Sequence, residues 1–129
     1  MEFDIAKEYC EIIKKKLGMG EYDVALSNAK KLLLYSPDNA EGYYYQGLCH
    51  FALGNYEESA TDYKKSIELN PNFAKAYYNL GVTKYYLNKF TEAVKNMETA
   101  YRIFQQNQDK PSYTKCMESI EFIKEEQGL

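Results

Sequence analysis

The sequence predicts an all-α fold: a solenoid of three helix–turn–helix repeats closed by a capping helix, seven helices in all. Three observations carry this. The chain overlays itself when shifted by 34 residues. Within each unit, apolar residues recur at helical spacing and stop at a glycine or asparagine. No stretch alternates with a period of two strongly enough to make a strand.

The 34-residue register is read directly from aligned positions: Tyr9, Tyr43 and Tyr77; Tyr22, Tyr56 and Phe90; Gly20, Gly54 and Asn88; Ala25, Ser59 and Ala93. Leu33, Ile67 and Tyr101 match, as do Tyr35, Leu69 and Ile103. Pro37 and Pro71 match, with Gln105 in the third copy. Units therefore tile residues 6–39, 40–73 and 74–107 within a single domain, 1–129.

Each unit reads as two helices. In the second, Tyr43, Gly47, His50 and Phe51 fall on one side of the first helix. Gly54 then supplies a left-handed stop, and asparagine is the next-best residue there, hence Asn88. Asn55 with Glu58 is expected to form a capping box for the following helix, and Asp38 with Glu41 gives a similar start signal. Tyr56, Tyr63, Ile67 and Leu69 continue the inward stripe until Pro71. After the third unit, residues 105–110 read as a loop or frayed helix end. Pro111 opens a capping helix over 111–127, ended by Gly128. Its apolar stripe is Tyr113, Cys116, Met117, Ile120 and Ile123, with Lys115, Glu118, Glu121 and Glu125 opposite and Phe122 exposed.

Composition narrows the function. The chain has 129 residues, 45% hydrophobic and 27% charged, with a net charge of -3, which fits a folded soluble domain. No apolar run approaches the ~20 residues of a membrane span, and the acidic, amphipathic start is no signal peptide. The mild acidity argues against nucleic acid as a partner. Cys10, Cys49 and Cys116 have no metal-ligand spacing and fit reduced thiols, so a cytoplasmic location is expected. The opening Met and the terminal cap favour a free-standing unit.

These residues resemble the tetratricopeptide repeat family. Its signature stands here as Tyr43, Gly47, Gly54, Tyr56, Tyr63 and Pro71, then as Tyr77, Leu80, Gly81, Phe90, Ala93 and Ala100. The first unit is weaker, with Ile13 in place of the small glycine, but Gly20, Tyr22, Ala25 and Pro37 hold. The resemblance implies a right-handed α-solenoid in which small residues let helices approach and each pair buries its face on the next. Gln46 and Lys84 depart from the family's apolar choices, and are expected either to loosen the packing slightly there or to lay their stems over apolar surface with wet heads.

Nothing assembles an active site, and no enzyme, metal or cofactor is expected. His50 is the only histidine, at a position where the family favours tyrosine, and reads as packed and hydrogen-bonded. Adjacent Cys49 points about 100° away on a helix, so the two do not form a nucleophile pair. Gly18-Met19-Gly20 lacks the Lys-Ser/Thr sequel of a phosphate loop.

By resemblance, the first helix of each pair lines a concave groove that holds a partner peptide or helix. Its lining is Lys7, Cys10, Lys14 and Leu17 from the first unit. The second gives Glu41, Tyr44, Tyr45, Leu48 and Phe51, and the third Lys75, Tyr78, Asn79, Val82 and Tyr85. These positions are expected to face away from the inter-helix core, where aromatic rings serve recognition, although some tyrosines could instead pack on each other and stiffen the stack. Anchors worth about 1.5–3 kcal/mol each, less the cost of association, imply binding of roughly micromolar strength. The carboxylate clamp of chaperone-binding members would need Lys, Asn, Asn, Lys and Arg at Cys10, Lys14, Tyr45, Lys75 and Asn79. Only Lys75 agrees, so a clamp-type chaperone C-terminus is not the expected partner. Lys7, Lys14 and Lys75 favour a partner with apolar anchors and an acidic flank. The alternative is self-assembly into a homo-oligomer through the terminal helix or the groove.

Overall fold

The computed structural model describes residues 3–129. Among these residues there are seven α-helices and no strand: α1 (Ile5–Gly18), α2 (Tyr22–Tyr35), α3 (Ala40–Ala52), α4 (Tyr56–Leu69), α5 (Ala74–Tyr86), α6 (Phe90–Gln106) and α7 (Lys110–Gln127). No helix among them is long and apolar enough to cross a membrane.

Turn chemistry explains the pairing. Gly20, Gly54 and Asn88 take left-handed φ angles of 75°, 80° and 62°. The next residue's N–H then reaches back to the carbonyl five residues before it: Glu21 to Lys16 at 2.9 Å, Asn55 to His50 at 2.8 Å and Lys89 to Lys84 at 2.9 Å. This satisfies helix-end carbonyls and reverses the chain. Between pairs the turn differs: Ser36 and Asn70, at φ -135° and -139°, leave the helical region, which the following Pro37 and Pro71 disfavour. The α6–α7 turn copies the first kind. Gln108 sits at φ 57° and the Asp109 N–H donates to the Phe104 carbonyl at 2.9 Å. Without a proline at 105, α6 runs to Gln106, and α7 folds back on it as the second helix of a pair does.

Two capping expectations need correction. Asn39, not Asp38, starts α3, its Oδ1 accepting from the Gly42 N–H at 2.9 Å. The Asn55–Glu58 box does not form: Asn55 makes no side-chain cap, and its Nδ2 lies 3.3 Å from His50 Nδ1. By contrast Asp109 caps α7, accepting from the Ser112 N–H at 3.2 Å and the Ser112 hydroxyl at 2.7 Å. Gly128, at φ 69°, ends that helix.

The chain forms two compact units, Met1–Asn70 and Pro71–Leu129. The first is built on Cys10, Ile13, Ala25, Ala29, Leu32, Tyr45 and Cys49. Small residues bring its helices together. The Tyr63 ring covers Gly47 so closely that a Cβ there would lie 2.7 Å from it. Ser59 Oγ donates to the Gly47 carbonyl at 2.8 Å, and Ser66 Oγ to the Ala40 carbonyl at 2.7 Å. Each buried hydroxyl thus finds an acceptor and avoids the desolvation cost of about 1–3 kcal/mol.

The second unit packs Ala93, Val94, Met97 and Ile123 in one cluster and Ala74, Ala100, Phe104 and Cys116 in another. The 34-residue register places a base at Lys16, His50 and Lys84. Each meets an acid: Glu21 at 2.9 Å, Asp62 at 3.8 Å and Glu92 at 3.4 Å. Lys84 therefore does not have the wet head expected for it. It is buried and its ammonium reaches Glu92. Gln46 likewise turns inward, its Nε2 donating to Asp62 Oδ1 at 2.9 Å.

Candidate interaction surfaces

Within the first unit, the N-terminal halves of α1 and α3 enclose a polar cavity of about 380 Å³. Lys7, Cys10, Lys14 and Glu41 line it, joined by Asp4, Glu11 and Asn39 that the repeat register did not single out. Lys7, Lys14 and Glu41 are exposed. Lys14 pairs with Glu11 at 3.5 Å, and its ammonium sits 5.9 Å from the Tyr45 ring centre. The Tyr45 hydroxyl and the Glu11 carboxylate hold its pKa above the usual lysine value. Cys10 Sγ donates to Glu41 Oε2 at 3.8 Å. Burial first, and then the Glu41 charge, push this thiol up to about 11, so it is no nucleophile at neutral pH.

The aromatic lining behaves differently from the expectation. Tyr45 is 8% exposed and belongs to the core. Leu17, Tyr44 and Leu48 are half-buried against that core. Tyr44 stands 5.4 Å from the Tyr45 ring centre and 5.9 Å from that of Tyr63, and Phe51, also half-buried, 5.2 Å from Tyr56. These rings pack on each other in edge and tilted contacts, so their burial does account for much of their aromatic character.

In the second unit, Lys75 is exposed and Asn79 half-buried. Tyr78, Val82 and Tyr85 face α7. The Tyr78 hydroxyl lies 2.9 Å from Ser119 Oγ, with the Lys115 ammonium 5.1 Å from its ring centre. The Tyr85 hydroxyl donates to Glu126 Oε1 at 2.6 Å, and the Phe122 ring centre lies 6.4 Å from that of Tyr85, the rings edge to face. Between these two tethers lies an open, mainly apolar cavity of about 330 Å³. Val82, Met97 and Ile123 are among its walls, with Tyr86, Glu118 and Phe122 beside them. The part played by α7 was hidden in the sequence because its apolar stripe, in which Met117 proves exposed, left out the tethering residues Ser119 and Glu126.

The remaining titratable groups are structural. Asp62 is 8% exposed. Burial raises its carboxyl pKa, while Gln46 and His50 work against that shift. Its Oδ2 accepts no hydrogen bond and faces His50 Nε2 at 3.8 Å. Burial also raises the Cys49 thiol to about 12 and the Cys116 thiol to about 11. Among the described residues, no cluster of three or more His, Cys, Asp or Glu is placed to hold a metal ion.

Comparison with known proteins fits this architecture. A family model described as "TPR repeat" matches residues 47–88, and one described as "Tetratricopeptide repeat" matches residues 74–107. Comparison with curated protein sequences finds no match. Among solved structures, the type III secretion chaperone SycD of Yersinia enterocolitica, in complex with a peptide of the translocator YopD, is similar with a TM-score of 0.87 at 15% identity, over 98% of this chain and 97% of that one. The first TPR of Spaghetti (RPAP3), bound to the HSP90 peptide SRMEEVD, has a TM-score of 0.85 at 22% identity, over 96% and 94%. The TPR2B domain of yeast Sti1, in a complex with an Hsp70 peptide, has a TM-score of 0.88 at 18% identity, over 95% and 98%. Residues 47–107 thus match tetratricopeptide repeat models, and the 34-residue register with its left-handed turns carries the same paired-helix architecture back to the first unit.

Proposed function

We propose that this protein is a non-enzymatic interaction scaffold that holds a peptide or helix of a partner protein on the first helix of each pair. The observation that carries the reading is the open apolar cavity beside α5 and α7, lined by Tyr78, Val82 and Tyr85, which the family resemblance nominates. An open cavity with apolar walls and few polar groups is what an apolar anchor side chain fills. Exposed Lys7, Lys14 and Lys75 favour an acidic flank on the partner. Peptide complexes of similarly folded proteins, YopD with SycD and the HSP90 peptide with Spaghetti, support the same use of the fold. The residues at the clamp positions, Cys10, Lys14, Tyr45 and Asn79, disfavour a chaperone C-terminus. The buried, protonated thiols suit a cytoplasmic setting.

Selection of random phage-displayed peptides on the wild-type protein tests this. A selected peptide should lose roughly tenfold or more in affinity for Phe122→Ser, Lys75→Glu or the pair Lys7→Glu/Lys14→Glu, in line with the loss of one anchor or charge pair. Unchanged affinity for all three variants, each folded by circular dichroism, overturns the reading.

Self-assembly is a second reading, favoured by a different observation. Leu34 is 84% exposed, with Tyr35 and Val24 also exposed on α2. Sedimentation of the wild type and of Leu34→Glu tests it: a mass that rises with concentration in the wild type and not in the variant supports self-assembly, and a wild type that stays monomeric removes it.

A further inference from the structure

The 34-residue register makes the outer face of α2 anomalous. Val24 corresponds to Glu58 and Glu92, and Leu34 to Glu68 and Arg102. The second helices of the later repeats thus turn charge to solvent where the first turns Val24 and Leu34. Between these apolar residues stand Lys30 and Lys31, both exposed. Asp23, near the helix start, is the one acid on this arc.

The outer face of α7 is its complement. Glu118, Glu121 and Glu125 form an exposed stripe at helical spacing, edged by Phe122, 57% exposed, and Met117. Lys115 and Lys124 lie at the margins of the face, and Lys115 is already drawn over Tyr78. Among the described residues, none of Lys30, Lys31, Glu118, Glu121 and Glu125 is engaged in an ion pair. One chain therefore carries two unpartnered amphipathic faces of opposite charge.

We propose that these faces dock on each other between copies, the acidic face of α7 from one molecule lying on the basic, apolar face of α2 of the next. This rests on the self-assembly reading and names its interface. Apolar edges supply the buried area and the charges set orientation and partner choice. The contact joins different surfaces on the two copies, so it is heterologous. It leaves a free α2 at one end and a free α7 at the other, and growth has no fixed stoichiometry unless a ring closes. Exposed charges are screened by salt, so association is strongest at low ionic strength.

The test is sedimentation equilibrium of the wild type and two charge-reversed variants, Lys30→Glu/Lys31→Glu and Glu121→Lys/Glu125→Lys. The wild-type mass should rise above the 15.0 kDa of the monomer with concentration, and should fall back in high salt. Each variant alone should associate about tenfold more weakly. An equimolar mixture of the two should recover association and grow past the heterodimer, because the intact α7 of the first meets the intact α2 of the second and the two reversed faces complement each other in turn. A wild type that stays monomeric at high concentration and low salt removes self-assembly altogether. An oligomer that both reversals leave intact keeps self-assembly and overturns this interface. Phe122 and Glu118 border both this face and the α5–α7 cavity, so peptide binding is judged separately through Lys75→Glu and Lys7→Glu/Lys14→Glu, which the α2–α7 interface does not use.

Discussion

The Tyr85 hydroxyl of α5 donates to the Glu126 carboxylate of α7 at 2.6 Å, while Tyr78, seven residues earlier on the same helix, meets Ser119 at 2.9 Å. The two contacts tie the capping helix across the face of α5 that carries Tyr78, Val82 and Tyr85. Because the Glu126 carboxylate accepts the Tyr85 proton and adds its charge, it holds the phenol above its ordinary pKa. Glu126→Gln should therefore lower the Tyr85 pKa toward that of a free phenol, followed by the ring-carbon NMR signal of Tyr85 through alkaline titration. The same variant should speed amide exchange in the last turns of α7. An unchanged titration would mean that the tether does not persist in solution.

Glycine positions predict an ordered series of costs. At Gly81 an added methyl group would meet the Ala93 carbonyl at 2.9 Å and Met97 Cγ at 2.7 Å. The backbone oxygen cannot move aside, so Gly81→Ala should cost about 1–3 kcal/mol by overpacking. At Gly42 the methyl would meet the flexible end of Leu33, at 2.7 Å. There the helix-propensity gain of up to about 1 kcal/mol offsets the shift, and Gly42→Ala should be near neutral. Urea unfolding midpoints of the two variants check the order.

Asp62 predicts a pH dependence. Burial raises its carboxyl above the ordinary value of 3.8, so the folded state binds its proton more tightly than the unfolded one. Stability from this group is greatest at acid pH. It declines as pH rises from about 3.8 through the folded pKa. Asp62→Asn keeps an acceptor for Gln46 and removes the buried charge. It should raise Tm at pH 7, with the difference shrinking as pH falls toward 4, measured by thermal melts across that range. A variant less stable than wild type at pH 7 would show that the His50 contact outweighs burial.

The fold was legible because it repeats. Three copies of one pattern fix the helices and their turns, and Gly20, Gly54 and Asn88 all take the left-handed geometry that their residue types suggest. Capping was read less well, because Asp38 and Asn39 are both competent caps and backbone geometry chooses between them. The face of each groove residue was the larger miss. Helical spacing says that Tyr45 and Tyr44 lie beside each other, but whether a ring meets water depends on the neighbouring helix, and both settle on the first core. Tyr78 and Tyr85 are likewise half-covered by α7, a segment outside the repeat and so outside its register. Lys7, Lys14 and Lys75 stand in solvent, as long charged side chains mostly do, whereas Lys84, whose ammonium finds Glu92, is buried.

The most direct measurement is a methyl NMR titration of the wild-type protein with a peptide taken from the phage selection. Saturable shifts are expected at Val82, Met97 and Ile123, the apolar walls of the α5–α7 cavity, with the Tyr85 tether retained. Saturable binding that leaves all three methyl environments unmoved would contradict this expectation.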